Sequence, residues 1–176
     1  MGDHWNDNLA PMRVGILFSL LTLLYGFGLG AAFGAAEDSI KGHLAAEATA
    51  VLEHAYGGDD AAAKKVTDKS WVYFKRAHLH ANGLGTSGLV LIVLLSFLGV
   101  GRTAKTYTAL ALGVGGLGYA TYWMLAGLRA PGMGSTGAAK ESLGWLAIPS
   151  SGLCIVGVTA VLVFLVMNAF VARSDG

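Results

Sequence analysis

Charge is scarce in this sequence, and it is missing where ion transport needs it. Only 13% of the 176 residues are charged, against roughly 25% in a soluble domain. The deficit falls in four long apolar stretches separated by polar ones, the pattern of a polytopic membrane protein. No Asp, Glu, Lys or Arg lies in the central part of any stretch. Proton pumps and ion-coupled transporters need such groups at depth, which argues against a transporter or channel in the single chain. One cysteine, Cys154, excludes an intrachain disulfide and reads as a small packed side chain. A net charge of +1 gives no footprint for nucleic acid. The opening MGDHWNDNLAP has no basic segment, and the apolar run after it exceeds the core of a secretory signal, so a retained span is expected there. No nucleophile–base pair or phosphate loop is recognisable. GVGGLG at 113–118 lacks the strand and helix context of a dinucleotide fingerprint and reads as packing.

What is present describes an all-α, four-transmembrane-helix bundle forming one membrane domain over 1–176. Spans are expected at about 12–36, 83–101, 106–128 and 144–172, with a polar helical loop at 37–82. Within that loop, 38–56 has helical periodicity, with Leu44, Ala48, Val51 and Leu52 as its apolar stripe. The GGDD at 57–60 ends it, a short helix follows at 61–66, and a long helix is expected over about 68–101. RTAK at 102–105 reads as a tight turn, and 129–143 as a glycine-rich loop. Gly26, Gly30 and Gly34 share one helix face, a seam for other membrane subunits or for a second copy of the chain. Parity puts the termini and the RTAK turn on one side. A raw count of Lys and Arg favours the long-loop side as cytoplasmic. Arg13, Arg102, Lys105 and Arg173 lie on the termini side; the short RTAK turn and a long loop large enough to be an exported cap favour that side as cytoplasmic, which is the expectation adopted, in a membrane of the bacterial inner type.

The five histidines carry the most information: His4, His43, His54, His78 and His80. Spans one, three and four have none in their apolar cores. His43, Glu47 and His54 form a polar stripe if 38–56 is one helix, and this stripe could face His78 and His80 at the start of span two. Imidazole with a carboxylate makes a mixed nitrogen and oxygen set for copper, iron or zinc, so His78, His80, His54, His43 and Glu47 are the candidate ligands. On a regular helix His78 and His80 stand about 200° apart, which keeps both from one ion. His80 shares a face with Tyr73, Ala77, Leu84 and Ser87, and His78 shares one with Trp71, Phe74, Gly85 and Leu89. Gly83, Gly85 and Gly88 leave room for a flat ligand. Lys75 and Arg76 suit heme propionates or lipid head groups.

RAHLHANGLG, residues 76–85, resembles the A-H-x-H-x-x-x-L-G segment of membrane proteins related to the heme-copper oxidases and their small heme- or copper-binding relatives. The resemblance implies that His78 and His80 ligate heme b or copper. It implies a second axial ligand from His54, His43, Met124, Met133 or another subunit, because the other spans offer no histidine. The expected function is a heme- or metal-binding subunit near one membrane face, in electron transfer within a respiratory-type complex. Tyr119, Tyr122, Trp123 and Arg129 would wall the heme or a quinone. The alternatives are a cofactor-free assembly subunit packing through its glycine seams, with the polar loop as a docking cap, and a histidine–metal enzyme acting on a hydrophobic substrate.

Overall fold

Apolar stretches of this length can bury their backbone polar groups only by bonding them internally. The computed structural model describes residues 8–171, so His4 and Arg173 lie outside the described residues. The chain runs through α1 (Arg13–Ala50), α2 (Leu52–Tyr56), α3 (Asp60–Ser96), α4 (Arg102–Arg129), α5 (Thr136–Glu141) and α6 (Gly144–Val166). A 3-10 turn, Ala10–Met12, leads into α1, and a π-helical turn, Met167–Val171, follows α6. Among the described residues there is no strand. Four helices, carried by α1, α3, α4 and α6, are long and apolar enough to cross a membrane, an architecture compatible with a multi-pass membrane protein.

The polar stretch at 37–82 is helical, as its periodicity implies. Ala36 leaves the helix (φ −141°, ψ 25°) where the first apolar stretch is expected to end, so α1 is two helical segments joined across a kink, the second running from Glu37 to Ala50. α3 starts at Asp60, so 61–66 and the long helix expected from 68 are one element. The physical reason is composition: EDSIKGHLAAEATA contains no proline and four alanines, and Glu37 pairs with Lys41 one turn on. The real break is narrow. Gly57 and Gly58 take φ of 61° and 78°, the left-handed region that a side chain resists, and Asp59 then caps α3 by accepting the Ala62 N–H at 3.0 Å.

The resulting hairpin of α1 and α3 projects past the apolar spans, with Leu44 and Ala48 buried in its seam as the periodicity implied. The 130–143 segment, which contains α5, is tied to it where the Tyr56 hydroxyl donates to the Pro131 carbonyl at 2.7 Å. Burial pushes the Tyr56 phenol above its ordinary value of 10.0. The fold therefore favours the neutral phenol. That contribution is complete below the unfolded value and is lost as pH rises through the raised one. Proteolytic nicking of 130–143 is expected to accelerate in wild type above about pH 10. Tyr56→Phe, which lacks this bond at every pH and loses about 1 kcal/mol, should show no such alkaline step.

α4 is the centre of the bundle. Half of its most apolar window is buried, against 11% for α6 and 17% for α1. It touches α1, α3 and α6. GVGGLG deals its small residues to all three neighbours. A β-carbon on Gly113 would fall 2.5 Å from the Gly15 carbonyl of α1, and one on Gly115 would fall 2.9 Å from the Cys154 backbone of α6. One on Gly116 would meet Leu84 of α3 at 3.3 Å. Close helix approach is the role of this motif.

RTAK is the first turn of α4, not the connection before it; the chain reverses at 97–101. Lys105 is 6% exposed and donates to the Ser96 carbonyl at 3.0 Å, satisfying one of the acceptors left free at the end of α3. Gly99 N–H donates to Asn168 Oδ1 at 2.7 Å, which brings the π-turn after α6 to the same end of the bundle.

Candidate functional site: the histidine turn of α3

The histidine-bearing turn of α3 lies between α1 and α4, and its two rings serve different helices. His78 faces α1. Its Nδ1–H donates to the Gly26 carbonyl at 2.8 Å, and its ring meets Phe33 edge-on at 5.8 Å between centroids. Trp71 and Phe74, on the same face, also reach Phe33, at 5.0 and 6.3 Å. A β-carbon on Gly30 would fall 2.8 Å from His78 Cε1, and one on Gly26 would fall 2.8 Å from Asn82 Oδ1. Gly26 and Gly30 thus form a socket for His78 and Asn82 of the same chain, while Gly34 has open space beside it. Asn82, which the sequence did not single out, donates to the His78 carbonyl at 3.0 Å. Its Oδ1 is buried without a partner. Its position one turn beyond His78 was the available signal.

His80 faces α4. Its Nδ1 lies 2.7 Å from the Arg76 carbonyl. A carbonyl only accepts, so Nδ1 carries the hydrogen and Nε2 keeps a lone pair in the neutral ring. The ring meets Tyr119 edge-on at 5.1 Å and stacks on Trp123 at 6.0 Å and 27°. The Arg76 guanidinium lies 4.8 Å from the Trp123 ring centroid and 5.5 Å from that of Tyr73, within range of a cation–π attraction. Among the described residues Arg76 forms no ion pair. Tyr73, Tyr122, Ala126 and Leu143 back this cluster as a buried apolar group. Trp123 Nε1–H is buried without an acceptor.

Beside the His80 ring a groove of about 300 Å³ is lined by Leu79, His80, Gly83 and Leu84. This is the lower end of the range for small-ligand sites. A β-carbon on Gly83 would meet nothing within 4 Å, and Leu79 stands 65% exposed at the rim. The groove opens on an apolar flank of the bundle. His80 lies about 7 Å along the helix from Lys75, the last exposed charge before the apolar span.

The other nominated residues are elsewhere. His43, Glu47 and His54 are exposed. His43 sits thirteen residues beyond the Gly30 that His78 touches, on the far side of the kink at Ala36. Among the described residues no three His, Cys, Asp or Glu side chains gather around a point. The structure does not assemble His78, His80, His54, His43 and Glu47 into one centre. The helical geometry that separates the two α3 imidazoles, together with the run of α1 past the kink at Ala36, is the reason. Lys75 lines a groove on the α1–α3 hairpin with Lys41 and Trp71. Arg129 donates to Ser142 Oγ at 3.1 Å. Met124 Sδ accepts the Tyr25 hydroxyl at 2.8 Å, and Met133 is exposed on the 130–143 segment.

What remains is a single imidazole with a free Nε2, an aromatic wall, an unpaired guanidinium and an apolar opening. Such a set can accept a hydroxyl proton or give one nitrogen to a metal of a planar cofactor. It cannot by itself enclose a bare ion. No family model, curated protein or solved structure matches this chain.

Proposed function

We propose that the chain is a four-span membrane subunit that holds a flat, redox-active ring against His80 and serves electron transfer within a larger complex, with its termini on the cytoplasmic side. The observation that carries this reading is the His80 tautomer: Nδ1–H is spent on the Arg76 carbonyl, Nε2 keeps its lone pair, and the residue lines a groove open to the apolar flank. A quinone head group needs nothing the chain lacks. In the reduced quinol form a hydroxyl would donate to Nε2, the ring would lie over Gly83, and the tail would leave past Leu79 into lipid. Heme fits more narrowly: His80 would hold its iron, Arg76 would pair with a propionate, and any further ligand would have to come from another chain. When bound, either group supplies the redox chemistry. The chain's own contribution is to orient the ring, exclude water with the aromatic wall, and hold a proton at Nε2.

A second reading rests on the other histidine. His78, Asn82, Gly26 and Gly30 form a cross-helix joint that needs no ligand, which favours an assembly subunit whose free glycine, Gly34, meets a partner. The two readings separate on protein purified from its own membrane in mild detergent. A Soret band with a sharp reduced α-band identifies heme, and solvent extraction with mass spectrometry identifies quinone. The redox reading expects one of the two near one per chain. Protein with neither belongs to the assembly reading.

A further inference from the structure

A second cleft lies away from the histidines, between α3 and the segment leading into α5. It has a volume of about 410 Å³, and Lys65, Lys69, Ser135 and Thr136 supply its polar groups. Lys65 and Lys69 are one turn apart on α3, so their ammonium groups share a face and repel one another. The neighbouring lysine on the same helix is treated differently: Lys64 is paired with Asp68 at 2.6 Å. Among the described residues Lys65 and Lys69 have no carboxylate and no hydrogen-bond acceptor, and the Thr136 hydroxyl has no partner. Ser135 Oγ accepts the Ala138 N–H at 3.2 Å, which leaves its own hydrogen free to donate. Gly134 turns the chain here at φ 65°, with Ala55 packed against it, and so brings the following Ser135 and Thr136 onto the cleft that Lys65 and Lys69 also line. Two uncompensated cations and two hydroxyls lining one cleft of ligand size are complementary to a tetrahedral dianion.

We infer that this cleft binds a phosphate group, held by Lys65 and Lys69 from one side and by Ser135 and Thr136 from the other. The phosphate belongs either to a soluble phosphorylated compound or to an anionic lipid head group. Lys69 lies six residues, about 9 Å, further from the apolar span than Lys75, beyond a head-group layer of about 5–8 Å, which favours the soluble source.

The test uses the full chain in nanodiscs. Pyrophosphate titrated against protein in phosphatidylcholine discs reads the soluble source. Native mass spectrometry of protein from mixed phosphatidylcholine and phosphatidylglycerol discs reads the lipid source. Saturable pyrophosphate binding, or selective retention of phosphatidylglycerol, is expected in wild type. Either should fall about tenfold in the Lys65→Gln, Lys69→Gln double variant. Thr136→Val should weaken it several-fold, and Lys64→Gln should leave it unchanged. All three lysines are exposed, so the variants should fold, and helicity by circular dichroism checks this. The inference is overturned if wild type takes neither probe, if the double variant binds as wild type does, or if Lys64→Gln weakens binding equally.

Discussion

Gly15→Ala is expected to destabilise the bundle by about 3 kcal/mol, although it adds one methyl group and improves helix propensity. The β-carbon it introduces overlaps the backbone carbonyl of Ala109, and backbone cannot rotate away as a side chain can. On the opposite helix Gly113 points back at the Gly15 carbonyl, so α1 and α4 cross with main chain against main chain. A shift of either helix would also disturb the buried group of Met12, Ile92, Leu95 and Leu112 around that crossing. The control is Gly28→Ala on the same helix, where nothing lies within 4 Å. It should be neutral or stabilising by roughly 0.5 kcal/mol. Reversible unfolding in mixed micelles, followed by tryptophan fluorescence, measures both. Equal effects at the two positions would mean that α1 does not meet α4 along this line.

The second large effect separates the two histidines. His78→Ala removes the bond to Gly26, the edge contact with Phe33 and the side chain that fills the space above Gly30. A lost buried hydrogen bond and an unfilled gap between packed helices together cost about 3 kcal/mol. His78→Phe keeps the volume and should recover part of that loss. His80→Ala leaves a ring site that is already half open, and should cost about 1 kcal/mol. The same unfolding measurement decides. A larger loss at His80 than at His78 would reverse the roles assigned to the two rings.

Some of this was legible in the residues. The four long apolar helices follow from where charge is missing, since a stretch of that length free of Asp, Glu, Lys and Arg has the composition of a bilayer crossing. The separation of His78 and His80 follows from 100° per residue, and the structure keeps Trp71 and Phe74 with the first and Tyr73 with the second. The end of the first apolar stretch was legible too: the backbone leaves the helix at Ala36, and the alanine-rich, proline-free stretch after Glu37 resumes it. What the sequence could not show is that this second segment runs on beside the start of α3, which places His43 and Glu47 away from His78 and His80. The glycine seam at Gly26 and Gly30 was visible as a seam, but periodicity cannot say whether its occupant is another subunit or the chain's own His78 and Asn82. Lys105 was assigned to a turn because a lysine flanked by small residues gives no hint of a carbonyl waiting at Ser96.

The account stands most directly on what occupies the His80 groove. The deciding measurement is ring ligand per chain, by absorption and extraction, in wild type, His80→Ala and Gly83→Leu. A β-carbon at position 83 meets nothing within 4 Å, so the leucine can enter without a backbone clash and occupy the groove. Near-stoichiometric ligand in wild type, reduced about tenfold in both variants with folding intact, is the predicted result. A wild-type chain without such a ligand, or variants that retain it in full, would contradict the assignment.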